Sequence, residues 1–231
     1  MCSKEIIINT ISILGSGWLG LPLATILYKQ AFRVRASTRH HERFTELDAT
    51  GARAFHVDID QLSEISEFLD SEILIINITS KNINGFARLI EQIETSPIQK
   101  VLFISSTSVY QNLNREVTED ENAEDHNSVL WQIEQLFQNN THFKTTIVRF
   151  SGLIDSRRHP GRFFRNGRSV PQADAHPSKR EFYGYARKLM GLSPPEFDTE
   201  TEIKYKIISN QKVKSKLNYT FQHPDLMKIT F

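Results

Sequence analysis

The sequence is poor in cysteine and has no long apolar run. Its single cysteine, Cys2, cannot form an internal disulfide or a cysteine-rich zinc site, which favours a reducing compartment. No apolar segment approaches the ~18 residues that a membrane-spanning helix needs, and the first residues lack the pattern of a signal peptide. We therefore expect a cytoplasmic protein without a metal site.

A strong excess of charge of one sign is also missing. The chain has 28 Lys and Arg residues against 27 Asp and Glu residues, which gives a formal net charge of +1. Nucleic-acid-binding domains and polybasic membrane anchors carry a clear positive excess, so we expect neither nucleic acid nor a membrane as a partner. With 231 residues, the chain is long enough for one or two domains with an ordinary apolar core.

Short apolar runs alternate with segments of helical periodicity over the first 150 residues. This alternation is typical of βαβ units and predicts an α/β fold with a parallel sheet. The predicted strands cover residues 6–14, 32–38, 53–59, 72–78, 101–106, 144–150 and 202–208. The predicted helices cover residues 18–30, a short polar segment ending near 49, and residues 61–69, 84–94, 128–137, 178–190 and 211–217. The spacing of Ser178 and Glu181 is that of a capping box.

Two segments concentrate charge. An acidic run extends from Glu116 to Asp125, and its ordinary interpretation is a solvated surface loop. A basic segment follows the sixth strand and contains Arg157, Arg158, Arg162, Arg165 and Arg168. Guanidinium groups pair with phosphate or carboxylate through two parallel hydrogen bonds, so a small anionic substrate is expected near the first three of these arginines. The alternative is an exposed basic loop that balances the acidic one.

A glycine-rich segment, Gly15–Gly20 (GSGWLG), follows the first predicted strand and opens the first predicted helix. In this position the G-x-G-x-x-G pattern is the fingerprint of dinucleotide binding. The first glycine permits a tight turn, the second lets the backbone approach the pyrophosphate, and the third allows close packing of helix and strand. The anion then lies at the helix N-terminus. The predicted cofactor contacts are Gly15, Gly17, Trp18, Leu19 and Gly20, and the alternative is a plain strand–helix turn.

The end of the second strand bears on the choice of cofactor. It reads Ala36-Ser37-Thr38-Arg39-His40, without a carboxylate before Glu42, whereas an NAD-binding strand usually ends in Asp or Glu. Arg39 can neutralise a ribose 2′-phosphate, and Ser37 or Thr38 can hydrogen-bond to it. We therefore predict NADP(H) in preference to NAD(H). In the alternative interpretation, Arg39 is exposed and has no role in ligand binding.

Two further motifs connect the chain to a known family. They are Ser105–Tyr110 (SSTSVY) after the fifth strand and Val148–Gly152 (VRFSG) in and after the sixth. With the glycine loop, they make the chain resemble the extended short-chain dehydrogenase/reductase superfamily, and more narrowly the small bacterial NAD-dependent epimerase/dehydratase proteins. Segments 158–162, 176–183 and 208–210 share the resemblance.

This resemblance implies a Rossmann-type, doubly wound parallel sheet. Residues 1–155 would form the NAD(P)-binding domain, and residues 156–231 a short C-terminal region on the substrate side. It also implies cofactor contacts from Asp58, Thr79 and Ser105. Related enzymes often form homodimers, which leaves a homodimer open here.

The catalytic residues of the family are only partly present. The family uses a Ser or Thr after the fifth strand, which Ser106 matches, and a Tyr-x-x-x-Lys pair on the following helix. Trp131 and Gln135 occupy the positions of that pair, and the sequence contains no other Tyr-x-x-x-Lys. An indole only donates and a Gln amide carries no charge, so neither replaces the pair in acid–base chemistry.

Several candidate side chains keep two interpretations. Ser106 either acts on substrate or satisfies backbone groups at the strand end. Tyr110 is the nearby phenol, and it is either a substitute acid or a packing residue whose hydroxyl finds a partner. Trp131 is either functional or part of the core. His159 either titrates near the arginines or is a solvated loop residue.

The family pattern also predicts a shortened chain. Between Arg168 and His176, we expect that a strand–helix–strand unit of roughly 30 or more residues is missing. Two functions follow from the sequence. One is an NAD(P)-dependent enzyme of the epimerase, dehydratase or reductase type, acting on a nucleotide sugar or another small anion. The other is a non-catalytic NADP(H)-binding redox sensor or regulatory protein.

Overall fold

The computed structural model describes residues 9–162, 176–196 and 204–230. The chain divides into two compact units. The first unit comprises residues 1–105 and 126–148, and the second comprises residues 106–125 and 149–231. The predicted assignment of residues 1–155 to the cofactor and residues 156–231 to the substrate stays a prediction. Cys2, Arg165, Arg168 and the junction before His176 lie outside the described residues.

Six strands form one sheet, and two short strands form another. The strands are β1 (Thr10–Leu14), β2 (Arg33–Thr38), β3 (Arg53–His56), β4 (Ile73–Ile76), β5 (Lys100–Ser106), β6 (Glu116–Val117), β7 (Lys144–Phe150) and β8 (Ile207–Ile208). The large sheet has the order β3-β2-β1-β4-β5-β7. Starting from β1, the chain builds outward to one side through β3 and then crosses to β4 on the other side, which is the predicted doubly wound topology.

The described helices are α1 (Gly20–Lys29), α2 (Phe44–Asp48), α3 (Ser66–Leu69), α4 (Ile83–Glu94), α5 (Val129–Gln138), α6 (Lys179–Leu189) and α7 (Gln211–Leu217). The predicted helix over residues 61–69 is mostly wrong, since only α3 forms there. Asp58 caps a single 3-10 turn at Ile59–Gln61, and the side chain of Gln92 satisfies the intervening backbone. Its amide accepts from Ile65 N at 3.1 Å and donates to Ser63 O at 2.9 Å.

The first unit has apolar clusters on both faces of the sheet, as a parallel sheet requires. Successive residues of β4 belong alternately to the two clusters. Leu74 and Ile76 belong to the cluster that contains Phe86, Phe103 and Phe137, while Ile75 belongs to the cluster beneath α1 and α2. The three phenylalanine rings lie with centroids 5.1–5.9 Å apart. They anchor α4 and α5 on β5, and α5 thereby starts at the edge of the sheet where β5 ends.

In the second unit, residues of the acidic run form a strand and a buried ion pair. The interpretation of that run as only a solvated loop is therefore wrong. Glu116 and Val117 form β6, which pairs in parallel with β8. Glu124 is buried and forms an ion pair with Arg149. The backbone N–H of Asn114 donates to Tyr205 O at 2.8 Å, next to this pairing. Of the predicted strand 202–208, only β8 forms within the described part.

Helix α6 begins with the predicted capping box, which is confirmed. Ser178 Oγ accepts from Glu181 N at 3.2 Å, and the Glu181 carboxylate accepts from Ser178 N at 2.8 Å. Phe182 and Tyr183 on this helix pack with Leu226 in a small core of the second unit. Within the described residues, no helix is long and apolar enough to cross a membrane, and no cluster of His, Cys, Asp and Glu side chains is suited to a metal.

Candidate cofactor and catalytic site

The glycine loop lies at the carboxyl edge of the sheet, between β1 and α1. Gly15 has φ +98°, and a Cβ there would lie 2.4 Å from Asn77 O. A Cβ at Gly20 would lie 2.1 Å from Gly15 O, so the start of α1 approaches the end of β1 too closely for any side chain. At Gly17, by contrast, a Cβ would meet nothing within 4 Å. Gly15 and Gly20 therefore shape the turn, and Gly17 leaves open space in front of the helix N-terminus.

The loop is tied to the two strands that flank β1. The backbone N–H of Gly15 donates to Ser37 Oγ at 3.0 Å, and Ser16 Oγ donates to Ser37 O at 2.8 Å. On the other side, Asn77 Nδ2 donates to Gly15 O at 3.3 Å. Asn77 is not among the residues predicted from the sequence. It follows the buried strand β4, and that position at the switch between the two halves of the sheet is its only signal.

The side chains at the end of β2 and after β2 and β3 also lie at this edge. Thr38 is buried, and its Oγ1 accepts from His40 N at 3.2 Å. Arg39 is exposed, with its Nη1 3.8 Å from Asp60 Oδ2. Asp58 is half-buried, and its carboxylate accepts from Asp60 N at 2.9 Å. Exposed ion pairs contribute only about 0–1 kcal/mol, so an anion can displace Asp60 from Arg39 at little cost.

Of two further predicted cofactor contacts, Thr79 follows β4 and Ser105 lies near the end of β5. Thr79 is exposed. Ser105 is buried, and its hydroxyl donates a short hydrogen bond to Glu134 on α5. Glu134 is 0% exposed and sits among the apolar residues that attach α5 to the sheet. A buried carboxylate is costly unless it is hydrogen-bonded, which marks the Ser105–Glu134 pair as a fixed feature of this edge. Glu134 is a second residue that the sequence did not predict.

The helix positions that the family gives to Tyr and Lys carry Trp131 and Gln135. Trp131 is half-buried rather than part of the core, and its ring stacks on the exposed His126 with centroids 4.3 Å apart and planes at 18°. Gln135 Nε2 donates to Gln138 Oε1 at 2.8 Å. The stacked imidazole therefore lies at the start of α5. His126 was not predicted, because five residues and a helix start separate it from its partner.

Ser106 and Tyr110 bracket a 3-10 turn at Thr107–Val109. The Ser106 hydroxyl is half-buried and accepts from Ser108 N at 3.1 Å, which is the backbone-satisfying role. Tyr110 is only 2% exposed, and no described residue hydrogen-bonds to its hydroxyl in good geometry. Burial raises the pKa of this phenol, and the nearby Arg149 guanidinium opposes the rise. The geometry favours the packing role for Tyr110, although its hydroxyl does not find the expected partner.

Tyr110 belongs to an ionic cluster inside the second unit. The Arg149 guanidinium carbon lies 4.7 Å from the centre of the Tyr110 ring, and Arg149 also pairs with the buried Glu124. Lys206 donates through Nζ to the Tyr110 carbonyl, and burial lowers the pKa of that lysine. The cluster joins the segment after β5 to the end of β7 and to the residues before β8.

The predicted anion-binding arginines lie in the second unit. Arg157 and Arg162 are exposed, and Arg158 is half-buried. Asp155 organises the segment, because it lies 3.7 Å from Arg157 Nε and accepts from Arg158 N at 2.6 Å. His159 is buried rather than solvated, and its Nδ1 accepts from Gly161 N at 3.0 Å. Burial lowers the pKa of His159, and the charge of Arg162 lowers it further.

A doubly wound parallel sheet with a tight glycine turn after its first strand defines a dinucleotide-binding protein. The sequence profile of the NAD(P)H-binding family matches residues 15–177, and the chain belongs to that family. The predicted resemblance to NAD-dependent epimerase/dehydratase and short-chain dehydrogenase/reductase proteins is confirmed at the level of the fold.

Protein YeeZ of Escherichia coli K12 is 25% identical to this chain and aligns with 93% of it and 96% of its own length. The alignment has 265 positions, whereas 93% of 231 residues is about 215, so about 50 positions of YeeZ face no residue of this chain. That difference agrees with the predicted shortening.

Two solved structures share the fold. A candidate NAD-dependent epimerase/dehydratase of Methylobacillus flagellatus has 22% identity, covers 94% of both chains and gives a TM-score of 0.72. A point mutant of the UDP-glucuronic acid 4-epimerase of Bacillus cereus, in complex with NAD and a fluorinated UDP-sugar, has 16% identity. It covers 94% of this chain and 95% of its own and gives a TM-score of 0.73. At these identities, the likeness concerns the fold alone.

Proposed function

We propose that this protein binds NADP(H) in preference to NAD(H) and acts as an oxidoreductase or epimerase on a nucleotide sugar or another small anion. The observation that carries the proposal is the shape of the glycine loop. Gly15 and Gly20 are held by contacts that exclude any side chain, while Gly17 leaves room for a pyrophosphate at the start of α1. A turn that only connected a strand to a helix would not need that open space.

The residues around the loop have distinct roles in this proposal. Ser37 and Asn77 hold Gly15 from either side, so that the N–H groups at the start of α1 face the pyrophosphate. Arg39, which keeps only a weak pair with Asp60, binds the 2′-phosphate that distinguishes NADP(H). When bound, the nicotinamide supplies or accepts a hydride. The residues present fit this group.

Hydride exchange with a carbonyl or alcohol also requires a proton partner. Trp131 and Gln135 cannot serve, because an indole and an amide do not titrate near neutral pH. Ser106, at the end of β5, can donate a hydrogen bond to a substrate oxygen through the proton that its backbone contact leaves free. In the first unit, His126 is the exposed acid–base side chain beside position 131, where Trp131 holds its ring by stacking. We assign proton transfer to His126.

The substrate class rests on the second unit. Arg157, Arg158 and Arg162 lie within one short segment, and guanidinium groups suit phosphate or carboxylate. The B. cereus protein that shares the fold is a UDP-glucuronic acid 4-epimerase, which supports trying nucleotide sugars first. Incubation with NADP⁺ or NADPH and a panel of sugar nucleotides and carbonyl compounds should give turnover that falls in Ser106→Ala and His126→Ala. Absence of turnover over the whole panel would count against catalysis.

Cofactor binding is tested directly by fluorescence. The chain has two tryptophans, Trp18 in the glycine loop and Trp131 on α5, so Trp131→Phe leaves Trp18 as a single reporter. We expect saturable quenching by NADPH and NADP⁺ at lower concentrations than by NADH and NAD⁺. The reverse order would contradict the role of Arg39, and no binding of any of the four would contradict the proposal as a whole. Sedimentation velocity of the same preparation tests the homodimer that the family resemblance leaves open.

A redox sensor is the second candidate function. The observation that favours it is the replacement of the family's acid–base pair by Trp131 and Gln135, together with the burial of Tyr110. A sensor requires different affinities for the oxidised and reduced forms, because a ligand shifts a conformational equilibrium only through such a difference. Calorimetric titration with NADPH and NADP⁺ decides this point, and equal dissociation constants would remove the sensor function.

A further inference from the structure

A cavity lies at the amino edge of the sheet, opposite the glycine loop. Its volume is about 360 Å³, and its polar lining includes Thr10, Arg33, Arg35, Arg53, Asp70 and Glu72. They lie at the amino ends of β1, β2 and β3 and directly before β4. The volume falls within the range of about 300–1,000 Å³ that is typical of small-molecule sites. The cavity belongs wholly to the first unit.

Three arginines share one face of the sheet in this cavity. Arg33 and Arg35 are two residues apart on β2, so their side chains project to the same face. Arg53 on β3 pairs in register with Arg35, which places two guanidinium side chains directly opposite each other. Like charges in such cross-strand pairs are destabilising. Elsewhere in the sheet, cross-strand neighbours are mostly apolar, such as the pairs of β1 and β4.

The carboxylates near the arginines are already engaged. Asp70 accepts from Arg35 Nη2 at 2.8 Å, and Glu67 pairs with Arg53. Glu72 accepts from Thr10 N at 2.7 Å.

Two of the arginines in the cavity keep donor groups that these carboxylates do not engage. Arg35 Nη1 is buried and has no hydrogen-bond partner among the described residues, and the Arg35 side chain as a whole is only 17% exposed. Arg33 forms no ion pair with any residue that the structure describes. A buried donor without a partner is costly, so the cavity lacks one hydrogen-bond acceptor for Arg35 Nη1.

We propose that this cavity binds a small phosphorylated compound that also carries hydroxyl groups. The phosphate would accept hydrogen bonds from Arg33, Arg35 Nη1 and Arg53, since guanidinium forks match the geometry of phosphate oxygens. Glu72 and Asp70 keep acceptor lone pairs for hydroxyl groups, which a bare phosphate would leave unused. The charge that the phosphate brings adds to that of Asp70 and Glu67, which already offset part of the repulsion between Arg35 and Arg53.

This site is separate from the cofactor site. Arg33 and Ser37 are four residues apart on β2, which at about 3.3 Å per residue is about 13 Å along the strand. The inference therefore does not depend on the proposed cofactor or reaction. It does place a ligand at each end of the same strand.

Isothermal titration calorimetry of the full chain, in a buffer free of phosphate, tests the inference. The probes are inorganic phosphate, glucose 6-phosphate and glucose. We expect glucose 6-phosphate to bind more tightly than inorganic phosphate, and glucose not to bind. Arg33→Ala and Arg53→Ala should each weaken glucose 6-phosphate binding by about tenfold or more, since each removes a charge-assisted hydrogen bond.

Two variants serve as controls. Arg88→Ala removes an exposed arginine on α4, outside the cavity, and should bind like the wild type. Arg39→Ala removes the arginine at the cofactor edge and should also bind like the wild type. Circular dichroism melting shows whether each variant is folded. The inference is overturned if the wild type binds neither phosphate probe, if Arg33→Ala and Arg53→Ala both bind normally, or if Arg39→Ala alone abolishes binding.

Discussion

The Ser37 hydroxyl, at the end of β2, accepts a hydrogen bond from the backbone N–H of Gly15 at a distance of 3.0 Å. The same residue accepts from the Ser16 side chain through its carbonyl oxygen. The turn that would receive the pyrophosphate is therefore fastened to the strand whose end carries Arg39. A single buried serine therefore links the two features to which we assign the pyrophosphate and the 2′-phosphate of the cofactor.

The first prediction concerns this serine. Ser37→Ala removes the acceptor for Gly15 N and should lower the free energy of unfolding by about 1–3 kcal/mol, because a half-buried N–H loses its partner. NADPH affinity should fall as well, since the loop is no longer fixed from that side. Urea unfolding and fluorescence titration measure the two effects. Ser63→Ala, at an exposed serine, is the control, and equal behaviour of the two variants would contradict the role of Ser37.

The second prediction separates the three loop glycines. Gly15→Ala and Gly20→Ala should each destabilise the fold by about 1–3 kcal/mol or more, because the new Cβ would lie 2.4 Å and 2.1 Å from backbone oxygens. Gly17→Ala should leave the melting temperature nearly unchanged, since its Cβ meets nothing within 4 Å. It should nevertheless weaken NADPH binding, because the methyl group occupies the space left for the pyrophosphate. Normal NADPH affinity in Gly17→Ala would argue against this position of the cofactor.

Local patterns were sufficient to predict most of the large sheet. The apolar runs that end near Leu14 and Ile76 are patterns of neighbouring residues. Strands β1 and β4 form within these runs, as predicted. The predicted helix at 61–69 is reduced to α3, because the side-chain amide of Gln92, about thirty residues further on, hydrogen-bonds to Ile65 N and Ser63 O. Likewise, β6 exists only because residues 207–208 lie beside it.

The candidate site follows the same rule. The positions of the glycines and of Arg39 are predictable, since strand ends and turns carry local signals. The sequence predicts a contact of Ser37 or Thr38 with a 2′-phosphate, but not the hydrogen bond from Gly15 N to Ser37 Oγ. Asn77 and Glu134 are not predictable, because each acts through a partner 62 or 29 residues away. The burial of Tyr110 also depends on Arg149 and Lys206, which lie much further along the chain. A motif shows that a phenol is present, but only the packing shows that solvent barely reaches it.

The third prediction addresses cofactor preference. Arg39→Ala should weaken NADPH and NADP⁺ binding by about tenfold to a hundredfold, which corresponds to the loss of a charge-assisted hydrogen bond of about 1.5–3 kcal/mol. NADH binding should change little, because NADH has no 2′-phosphate. The control is Asp60→Asn, which removes the exposed partner of Arg39 and should leave NADPH binding equal or slightly tighter. A parallel loss of NADH and NADPH affinity in Arg39→Ala would show that Arg39 does not select between them.

The fourth prediction concerns the buried pair at the end of β5. Glu134→Ala leaves the Ser105 hydroxyl without its acceptor and opens space beneath α5, so the free energy of unfolding should fall by about 2–4 kcal/mol. Glu134→Gln keeps an acceptor oxygen and most of the volume, and it should cost less than half as much. Chemical unfolding of both variants measures the difference. If Glu134→Gln were as damaging as Glu134→Ala, the negative charge rather than the hydrogen bond would hold the pair together.

The fifth prediction uses the titration of Tyr110. Because burial raises the pKa of the phenol in the folded state, the folded protein holds this proton more tightly than the unfolded chain does. The resulting stability is fully present below the unfolded-state pKa of about 10 and is lost as the pH rises through the higher folded-state pKa. Tyr110→Phe should reduce this alkaline loss, which urea unfolding between about pH 8 and 11 can measure.

At neutral pH, Tyr110→Phe should leave the free energy of unfolding unchanged or raise it by about 1 kcal/mol, because the buried hydroxyl has no good hydrogen-bond partner among the described residues. Tyr205→Phe, at an exposed phenol of the same unit, is the control and should change neither the neutral nor the alkaline stability. Turnover provides a second readout. A packing residue can lose its hydroxyl without affecting turnover, so abolished turnover in a stable Tyr110→Phe variant would restore Tyr110 as the substitute acid.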